Sequence, residues 1–380
     1  MWPLYSTAYL QFYQIFRIHL KYRADIDGLR AIAVLSVLFF HANIPPFKGG
    51  FIGVDIFFVI SGFLITSIIV EDIQNKKFSL LYFYERRVRR IMPALFLVMA
   101  FSTLVAWLGM MPSHFKEFSQ SLFATSIFLS NVFFWRDSGY FNTASELKPL
   151  LHTWSLAIEE QYYVIFPLFM LVVWKWHQKL GVFLLITTTV ICLVLSQLAL
   201  NIDKNAAFYL LPFRVWELTI GAMVALIHRK QFVDLNDKIL NLLSLSGLLL
   251  IIVPVFFYTK TTPFPGLYAI PPVLGAAMLI IFCKNNTLAF KVLSQKLFLG
   301  IGLISYSLYL WHQPLLAFRH FYAPGENGLG IALGLLAVSF LFAFLSWRFV
   351  EQRFRDKKKV SRSRLLLIVL PLWTFFAVFG

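Results

Sequence analysis

An arginine and a histidine stand in an otherwise apolar stretch near the start of the chain, DGLRAIAVLSVLFFHAN. In a helix, their spacing of eleven residues puts Arg30 and His41 about 16 Å apart along the axis and about 20° from the same face. An arginine can hold an anionic group, and a histidine can act as a general base or a nucleophile. The pair could therefore hold a long ligand at one end and react with it at the other. Contact of Arg30 with lipid phosphate and a buried hydrogen bond of His41 would explain the same residues.

Three carboxylates lie in apolar stretches that enter the membrane from the side of His41. Asp55 stands near the start of one stretch, and Glu159 and Glu160 stand in another. We expect Asp55 to orient the imidazole of His41 and raise its basicity, as a carboxylate does in general-base sites. Stabilisation of Asp55 by the N-terminal end of its own helix is the competing explanation. The candidate catalytic residues are His41, Arg30, Asp55, Glu159 and Glu160.

A run of arginines without lysine occurs in FYERRVRRIMP, at the opposite end of a predicted span. On a helix, Arg86, Arg89 and Arg90 share a face, and Arg87 lies three residues before Arg90. Several guanidiniums close together suit a ligand rich in phosphate, and coenzyme A is such a ligand. Anchoring of the span end by basic residues is the competing explanation. The candidate coenzyme-binding residues are Arg30, Arg86, Arg87, Arg89 and Arg90.

Aromatic and polar residues gather at the span ends on the side of His41. We expect them to bind a sugar, because aromatic rings can stack on sugar rings while a few polar groups fix their orientation. An interfacial belt of aromatic residues is the competing explanation. The candidate substrate-binding residues are His152, Trp154, Arg214, Glu217, Trp311 and His312.

Membrane-spanning helices must position these residues. The chain has 380 residues, of which 59% are hydrophobic and 14% charged. The apolar residues recur in blocks of about 16–21, the length needed to cross a bilayer as a helix, and lack the alternation of membrane β-strands. The sequence therefore predicts an all-α polytopic membrane protein. The predicted spans are 28–43, 51–70, 91–111, 155–174, 182–200, 208–227, 239–257, 268–283, 297–317, 329–349 and 365–380.

The basic residues orient these spans. If the short polar segment 119–134 does not cross, 25 Lys and Arg lie on the side of the N-terminus and 8 on the other, with Arg30 inside a span. If the segment crosses, the division becomes 15 against 18. Because cytoplasmic loops are enriched in Lys and Arg, the first arrangement is favoured. The same rule explains the net charge of +16 without nucleic acid as a partner.

Three regions follow from this orientation. Residues 1–21 are aromatic-rich and predict an interfacial segment on the cytoplasmic side. Residues 22–356 form a ten-span domain with an extracytoplasmic segment at 112–154. Residues 357–380 form a basic linker and an eleventh span that ends outside the cytoplasm, and we expect it to lead to a further extracytoplasmic domain.

Five motifs resemble those of the bacterial acyltransferase-3 family of membrane O-acyltransferases, and the resemblance covers residues 22–356. They are YRADIDGLRAIAVLSVLFFHAN, GGFIGVDIFFVISGFLIT, FYERRVRRIMPAL, PLLHTWSLAIEEQYY and ISYSLYLWHQPLL. The resemblance implies a ten-helix transmembrane acyltransferase bundle in the bacterial inner membrane. It implies acetyl-CoA as the donor, a surface polysaccharide such as lipopolysaccharide O-antigen as the acceptor, and no metal.

The same resemblance implies roles for particular residues. His41 corresponds to the essential histidine, Arg30 to its paired basic residue, and the cluster Arg86–Arg90 to part of the coenzyme site. The chain is similar to the branch in which an eleventh span precedes an extracytoplasmic SGNH-type domain. WHQPLL departs from the pattern after His312, which leaves the role of that histidine open.

A transporter is the alternative function. Buried His, Asp and Glu would then relay protons for a sugar carrier, or the bundle would conduct an acyl donor without chemistry of its own. The arginine cluster on one side, with no matching set in a second half, counts against a carrier. For an enzyme, the sequence leaves open whether His41 takes the acyl group or acts as a general base.

Overall fold

Helices form the regular structure throughout the residues that the computed structural model describes, which are 22–138, 144–174, 177–226, 235–323 and 328–380. The predicted interfacial segment 1–21 lies outside them. The helices near the predicted spans are α1 (Ala24–His41), α2 (Gly53–Gln74), α3 (Leu80–Gly109), α6 (Thr153–Phe169), α7 (Gln178–Ala199), α9 (Leu211–Leu226), α10 (Asp237–Phe257), α11 (Ile270–Phe282), α13 (Lys296–Tyr322), α14 (Leu329–Leu345) and α16 (Arg362–Phe379). The shorter helices are α4 (Pro112–Ser126), α5 (Ser130–Arg136), α8 (Lys204–Tyr209), α12 (Leu288–Leu293) and α15 (Gln352–Arg355).

The helical content and apolar surface confirm an all-α polytopic membrane protein. In the described ranges, eight helical stretches are long and apolar enough to cross a membrane. The stretches with α1 and α13 are not among them, because α1 carries Asp25, Asp27 and Arg30, and α13 carries polar residues such as His312 and Gln313. Outer helices expose apolar side chains, such as Leu367 at 74% on α16, as expected of a surface that faces lipid. The count of eleven crossings stays a prediction.

The centre of the bundle is built from α1, α2, α9 and α13, which pack closely on one another. Glycines permit the approach of α2 and α9. A Cβ atom on Gly62 would lie 1.9 Å from the carbonyl oxygen of Leu218, and one on Gly221 would lie 2.1 Å from that of Val59. Small residues on both helices therefore bring the two backbones into contact, the usual way in which membrane helices associate.

Segment 119–134 forms most of a helical hairpin, α4 and α5, rather than a span. The turn between them has Phe128 at φ 55°, and the Gln161 amide on α6 donates to the carbonyl of Phe128 (2.9 Å) and to the Asn131 side chain (2.8 Å). Gln161 lies eight residues after the start of α6, so the turn reaches about 12 Å into the bundle. Irregular backbone at that depth is tolerated when protein groups satisfy it. The prediction that 119–134 does not cross agrees with this hairpin.

The last helix, α16, packs against α4 and α3. Its Trp373 indole donates to the carbonyl of Ser126 at the end of α4 (2.9 Å). The basic linker before α16 is held by Arg89, whose guanidinium donates to the carbonyls of Phe354 (3.1 Å) and Val360 (2.7 Å). The eleventh predicted span is thus joined to the rest of the bundle through the linker before it and through Trp373 in its second half.

The bundle has two ends, which we name by the residues that lie there. The histidine end is where α1 finishes at His41, and the arginine end is where α1 begins and α3 carries Arg86–Arg90. Loops predicted to share a side contact each other. At the histidine end, Lys260 pairs with Glu146 (2.9 Å), and at the arginine end the Asn241 side chain accepts from the backbone of Leu288 (2.8 Å). These contacts agree with the predicted alternation of the helices.

Candidate active site

Two cavities lie in the core of the bundle. The arginine chamber is a narrow cleft of about 80 Å³, and the histidine chamber is wider, at about 500 Å³. Residues that line the arginine chamber include Arg30, Arg87, Arg90, Glu159, Tyr163 and Tyr306. Residues that line the histidine chamber include His41, Trp154, Phe208, Tyr209, Lys260 and Gln313. The two candidate groups, arginines and histidine, therefore line different spaces.

The chambers meet at two side chains, Val54 on α2 and Tyr309 on α13, which line both. The Tyr309 hydroxyl donates to the carbonyl of His152 (3.0 Å) and lies 2.7 Å from the Ser155 hydroxyl. These bonds to α6 and the residue before it fix the ring between the two spaces. Val54 and Tyr309 thus form a partition in the core, and any group that passes from one chamber to the other must pass them.

His41 is hydrogen-bonded to a second histidine that is distant in sequence. Its Nδ1 lies 3.0 Å from Nε2 of His312, and the two ring planes differ by only 13°. The other ring nitrogen of His312, Nδ1, lies 2.6 Å from the carbonyl oxygen of Tyr309, one turn earlier on α13. His152 packs edge-on against His312, with centroids 5.6 Å apart. His312 therefore occupies the place beside His41 that the sequence had assigned to Asp55.

Asp55 belongs to a separate buried cluster, so its predicted contact with His41 was wrong. Its Oδ1 accepts from Nη2 of Arg214 (3.0 Å), and the same nitrogen lies 3.3 Å from Oε2 of Glu217. All three residues are fully buried. The predicted sugar-binding roles of Arg214 and Glu217 conflict with this burial, since each is enclosed by its ion pairs. The physical reason is charge compensation, because a buried carboxylate is costly without a cation.

Glu159 and Glu160 were expected near His41, but they lie with the arginines. Glu159 lines the arginine chamber, where its carboxylate accepts from the Ser61 hydroxyl (2.9 Å) and from the Tyr163 hydroxyl (3.3 Å). Glu160 is a neighbour of Arg87 in the same region. α6 enters from the histidine end, and two helical turns carry its acidic pair to the far side of the partition.

The four arginines of α3 divide into two pairs. Arg87 and Arg90 line the arginine chamber together with Arg30. Arg86 instead pairs with Asp72 (2.6 Å), and Arg89 is 3% exposed and holds the linker to α16. The predicted grouping of Arg86 and Arg89 with the ligand site was therefore wrong. Each pair is spaced i, i+3, and the two pairs are offset by one residue, about 100° around the helix.

The predicted aromatic residues also separate. Trp154 lines the histidine chamber. Trp311 does not act there, because its indole donates to the Ser346 hydroxyl (2.7 Å) and its ring packs edge-on against Phe101 and Phe342 in the core between α3, α13 and α14. His152 is buried against Tyr309 and His312. Trp311 thus holds the structure of α13 and its neighbours, and both ring nitrogens of His312 are engaged within the bundle, which corrects their prediction as substrate-binding residues.

Sequence reasoning missed polar residues at both ends. At the arginine end, buried Glu351 accepts from Arg355 (2.7 Å) and from Ser307, and Arg355 is electrostatically close to Arg90. A π-helical turn, Ser346–Glu351, turns Glu351 inward, and such turns are frequent at functional sites but have no clear sequence pattern. At the histidine end, the hydrogen bond and charge of Lys260 hold the pKa of Glu146 below its usual range.

Comparison with known proteins gives one family and a group of relatives. A family described as an acyltransferase domain matches residues 23–348. The O-acetyltransferase OatA of Staphylococcus aureus is 31% identical over 377 residues, covering 93% of this chain and 62% of the relative. The peptidoglycan O-acetyltransferase OatA of Listeria monocytogenes is 32% identical over 354 residues, covering 88% and 56%. The chain thus spans less than two thirds of the length of these relatives. No solved structure matches the chain significantly.

Proposed function

Because the chain belongs to the acyltransferase-3 family, we propose that it transfers an acetyl group from acetyl-CoA to a hydroxyl group of a glycan on the other side of the membrane. One observation carries this proposal. A chamber lined by three arginines and a chamber lined by His41 meet at a partition of two side chains. A donor and an acceptor can therefore approach from opposite ends and react near the centre.

The arginine chamber suits acetyl-CoA. Arg30, Arg87 and Arg90 line it from two helices, and guanidiniums bind phosphate oxygens through charge-assisted hydrogen bonds. Its apolar wall, which includes Phe57 and Leu64, suits the thin pantetheine arm. We place this end in the cytoplasm, because the Lys- and Arg-rich loops lie there and acetyl-CoA is a cytoplasmic metabolite.

The histidine chamber suits a sugar. It is several times larger than the arginine chamber and combines Trp154, Phe208 and Tyr209 with the amide of Gln313. Aromatic faces and a few polar groups are the usual means of holding a small polar ligand. The name of the Listeria relative gives peptidoglycan as its acceptor, and we propose a cell-surface glycan of this kind. Lipopolysaccharide O-antigen and a following SGNH-type domain stay predictions.

We assign the chemistry to His41, which lines the histidine chamber. As a general base, it removes the proton of the acceptor hydroxyl while the oxygen forms a bond to the thioester carbonyl carbon. The carbon–sulfur bond then breaks, and the proton returns to the coenzyme A thiolate. As a nucleophile, the imidazole first takes the acetyl group as the carbon–sulfur bond breaks and the thiolate leaves. The acceptor hydroxyl then displaces the imidazole, and its proton passes to the thiolate. Both routes need an unprotonated ring nitrogen of His41 that faces the histidine chamber.

The proposed transfer predicts release of coenzyme A that depends on an acceptor. Purified chain is reconstituted in vesicles, with acetyl-labelled coenzyme A at the arginine end and peptidoglycan fragments or O-polysaccharide at the other. We expect labelled glycan and free coenzyme A in equal amounts, measured by mass spectrometry. Label that crosses while coenzyme A stays acetylated would identify a carrier instead, and release without any acceptor would identify a thioesterase.

The division of the arginines predicts unequal effects of two matched substitutions on α3. Arg90→Gln is expected to raise the KM for acetyl-CoA about 10- to 100-fold, because a charge-assisted hydrogen bond contributes about 1.5–3 kcal/mol. Arg86→Gln removes the same charge one turn away. Because Arg86 pairs with Asp72 instead of lining the chamber, the KM of this variant for acetyl-CoA should change less than about twofold. Initial rates against acetyl-CoA concentration give both values. Equal effects of the two substitutions would show that the arginine chamber does not hold the donor.

A further inference from the structure

The hydrogen bond between His312 and Tyr309 fixes the position of one proton. A backbone carbonyl can only accept, so Nδ1 of His312, 2.6 Å from the Tyr309 oxygen, must carry a hydrogen. A neutral imidazole has a single N–H group. His312 is fully buried, and its hydrogen-bond partners are backbone carbonyls of its own helix and His41. Since burial of a charge without a counter-charge is costly, the neutral form is favoured, and Nε2 carries a lone pair.

That lone pair in turn fixes the proton of His41. The 3.0 Å contact between Nδ1 of His41 and Nε2 of His312 needs one donor, and His41 must supply it. The geometry suits such a bond. A ring nitrogen lies about 1.2 Å from its ring centroid, so the observed centroid separation of 5.2 Å is close to the largest that this contact allows. The two nitrogens therefore point at each other, and the rings lie side by side in one plane.

We infer that His312 is a positioning residue that holds the proton of His41 on Nδ1, so that the unprotonated Nε2 faces the histidine chamber. Which nitrogen of a histidine is protonated is set by the hydrogen bond that the other one makes. The catalytic consequence of this proton position rests on the proposed function. In that function, Nε2 of His41 is the atom that accepts the hydroxyl proton or the acetyl group. When Nε2 takes a proton, Nδ1 keeps its own and still donates to His312, so no proton has to move between the rings.

Two other roles for His312 are less consistent with these contacts. Direct binding of substrate would need a free ring nitrogen, and both are engaged. A purely structural role, joining α1 to α13, would be served by any polar contact between the two helices. It would not require the carbonyl of Tyr309 to fix which nitrogen of His312 carries the proton. The partner in a serine protease triad is a carboxylate. In this chain the partner is the neutral imidazole of His312, whose Nδ1–H is bonded to a backbone carbonyl. It orients His41 but stabilises the protonated form of His41 less than a carboxylate would.

The test reads the proton position directly. Protein labelled with ¹⁵N at histidine is reconstituted in lipid, and the ring-nitrogen shifts of His41 are identified as those lost in His41→Asn. In the unsubstituted protein we expect a protonated Nδ1 and an unprotonated Nε2. In His312→Leu we expect a large part of the population to shift its proton to Nε2. His312→Gln should restore the first pattern, because its side-chain oxygen can accept from Nδ1. His177→Leu, on an exposed residue, is the control and should leave the His41 signals unchanged.

Rates provide the second readout. His312→Leu should lower kcat at least tenfold with the KM for acetyl-CoA unchanged, and His312→Gln should recover part of the loss. A proton on Nε2 of His41 in the unsubstituted protein would overturn the inference, whether or not the variants fold. Equal loss of kcat in the Gln and Leu variants, with unchanged His41 signals, would leave His312 only a structural role. That result would also overturn the inference. Absence of acetyl transfer in the unsubstituted protein would contradict the proposed function, while the ring-nitrogen shifts would still decide the proton position.

Discussion

His41→Ala is expected to lower kcat for acetyl transfer about 10²- to 10⁴-fold, the contribution usual for a side chain that transfers a proton in the reaction. The substitution removes an imidazole that lines the histidine chamber, and His41 does not line the arginine chamber. The KM for acetyl-CoA should therefore change little. The measurement is the initial rate of labelled glycan formation in vesicles, at saturating acceptor and a series of acetyl-CoA concentrations.

The control for this loss is His177→Ala, which removes an exposed imidazole. It should keep the unsubstituted rate, because it lies outside both chambers. Retention of that rate by His41→Ala would remove the basis of the proposed mechanism, and the conduit without chemistry of its own would then be the better explanation. Loss of acetyl-CoA binding in His41→Ala would place the donor in the histidine chamber instead.

Arg214→Leu is expected to destabilise the bundle by about 3–5 kcal/mol, the usual effect of removing one partner from a buried ion pair. Asp55 and Glu217 would be left fully buried without their cation. The guanidinium is also surrounded by aromatic rings, including those of Phe58 and Trp154, at 5.4–5.6 Å from their centroids. The measurement is the thermal unfolding midpoint of the purified protein in detergent, with the yield of monodisperse protein as a second readout.

Two controls separate charge from shape in this cluster. Arg364→Leu removes an exposed arginine and should leave the unfolding midpoint nearly unchanged. The triple variant Asp55→Asn, Arg214→Met, Glu217→Gln removes all three charges together and should recover much of the loss, because no uncompensated charge remains. A triple variant no more stable than Arg214→Leu would show that packing, rather than charge compensation, makes the cluster important.

The sequence predicted the helices well because their signal is local. Each apolar block of sufficient length forms a helix, since nothing else satisfies the backbone in lipid. Most bounds are close to those predicted, but α3 begins at Leu80, eleven residues before the predicted start of its span. Segment 119–134 was ambiguous by length, and the basic-residue count favoured the arrangement in which it does not cross, which agrees with the hairpin that it forms. Asn131 explains why it is polar, since it bonds Gln161 and the carbonyl of Tyr209 at the turn of the hairpin.

The candidate site was predicted less completely because its contacts are not local. Arg30 and His41 were predicted from their spacing on one helix, and they line the two different chambers. The partner of His41 lies 271 residues away on α13. The periodicity of α1 and α2 does not show whether His312 or Asp55 is the hydrogen-bond partner of His41. Similarly, the chamber-facing sides of α3 depend on how that helix is rotated in the bundle, which the neighbouring helices determine.

The partition at Val54 and Tyr309 also has a consequence for the membrane as an electrical insulator. A protein with a water-filled passage between its two ends would let protons and small ions leak down their gradients. These two side chains are only 7% and 9% exposed, and the Tyr309 hydroxyl is engaged by His152 and Ser155. Under the proposed function, an acetyl group passes these two side chains, whereas ions on either side meet a closed partition.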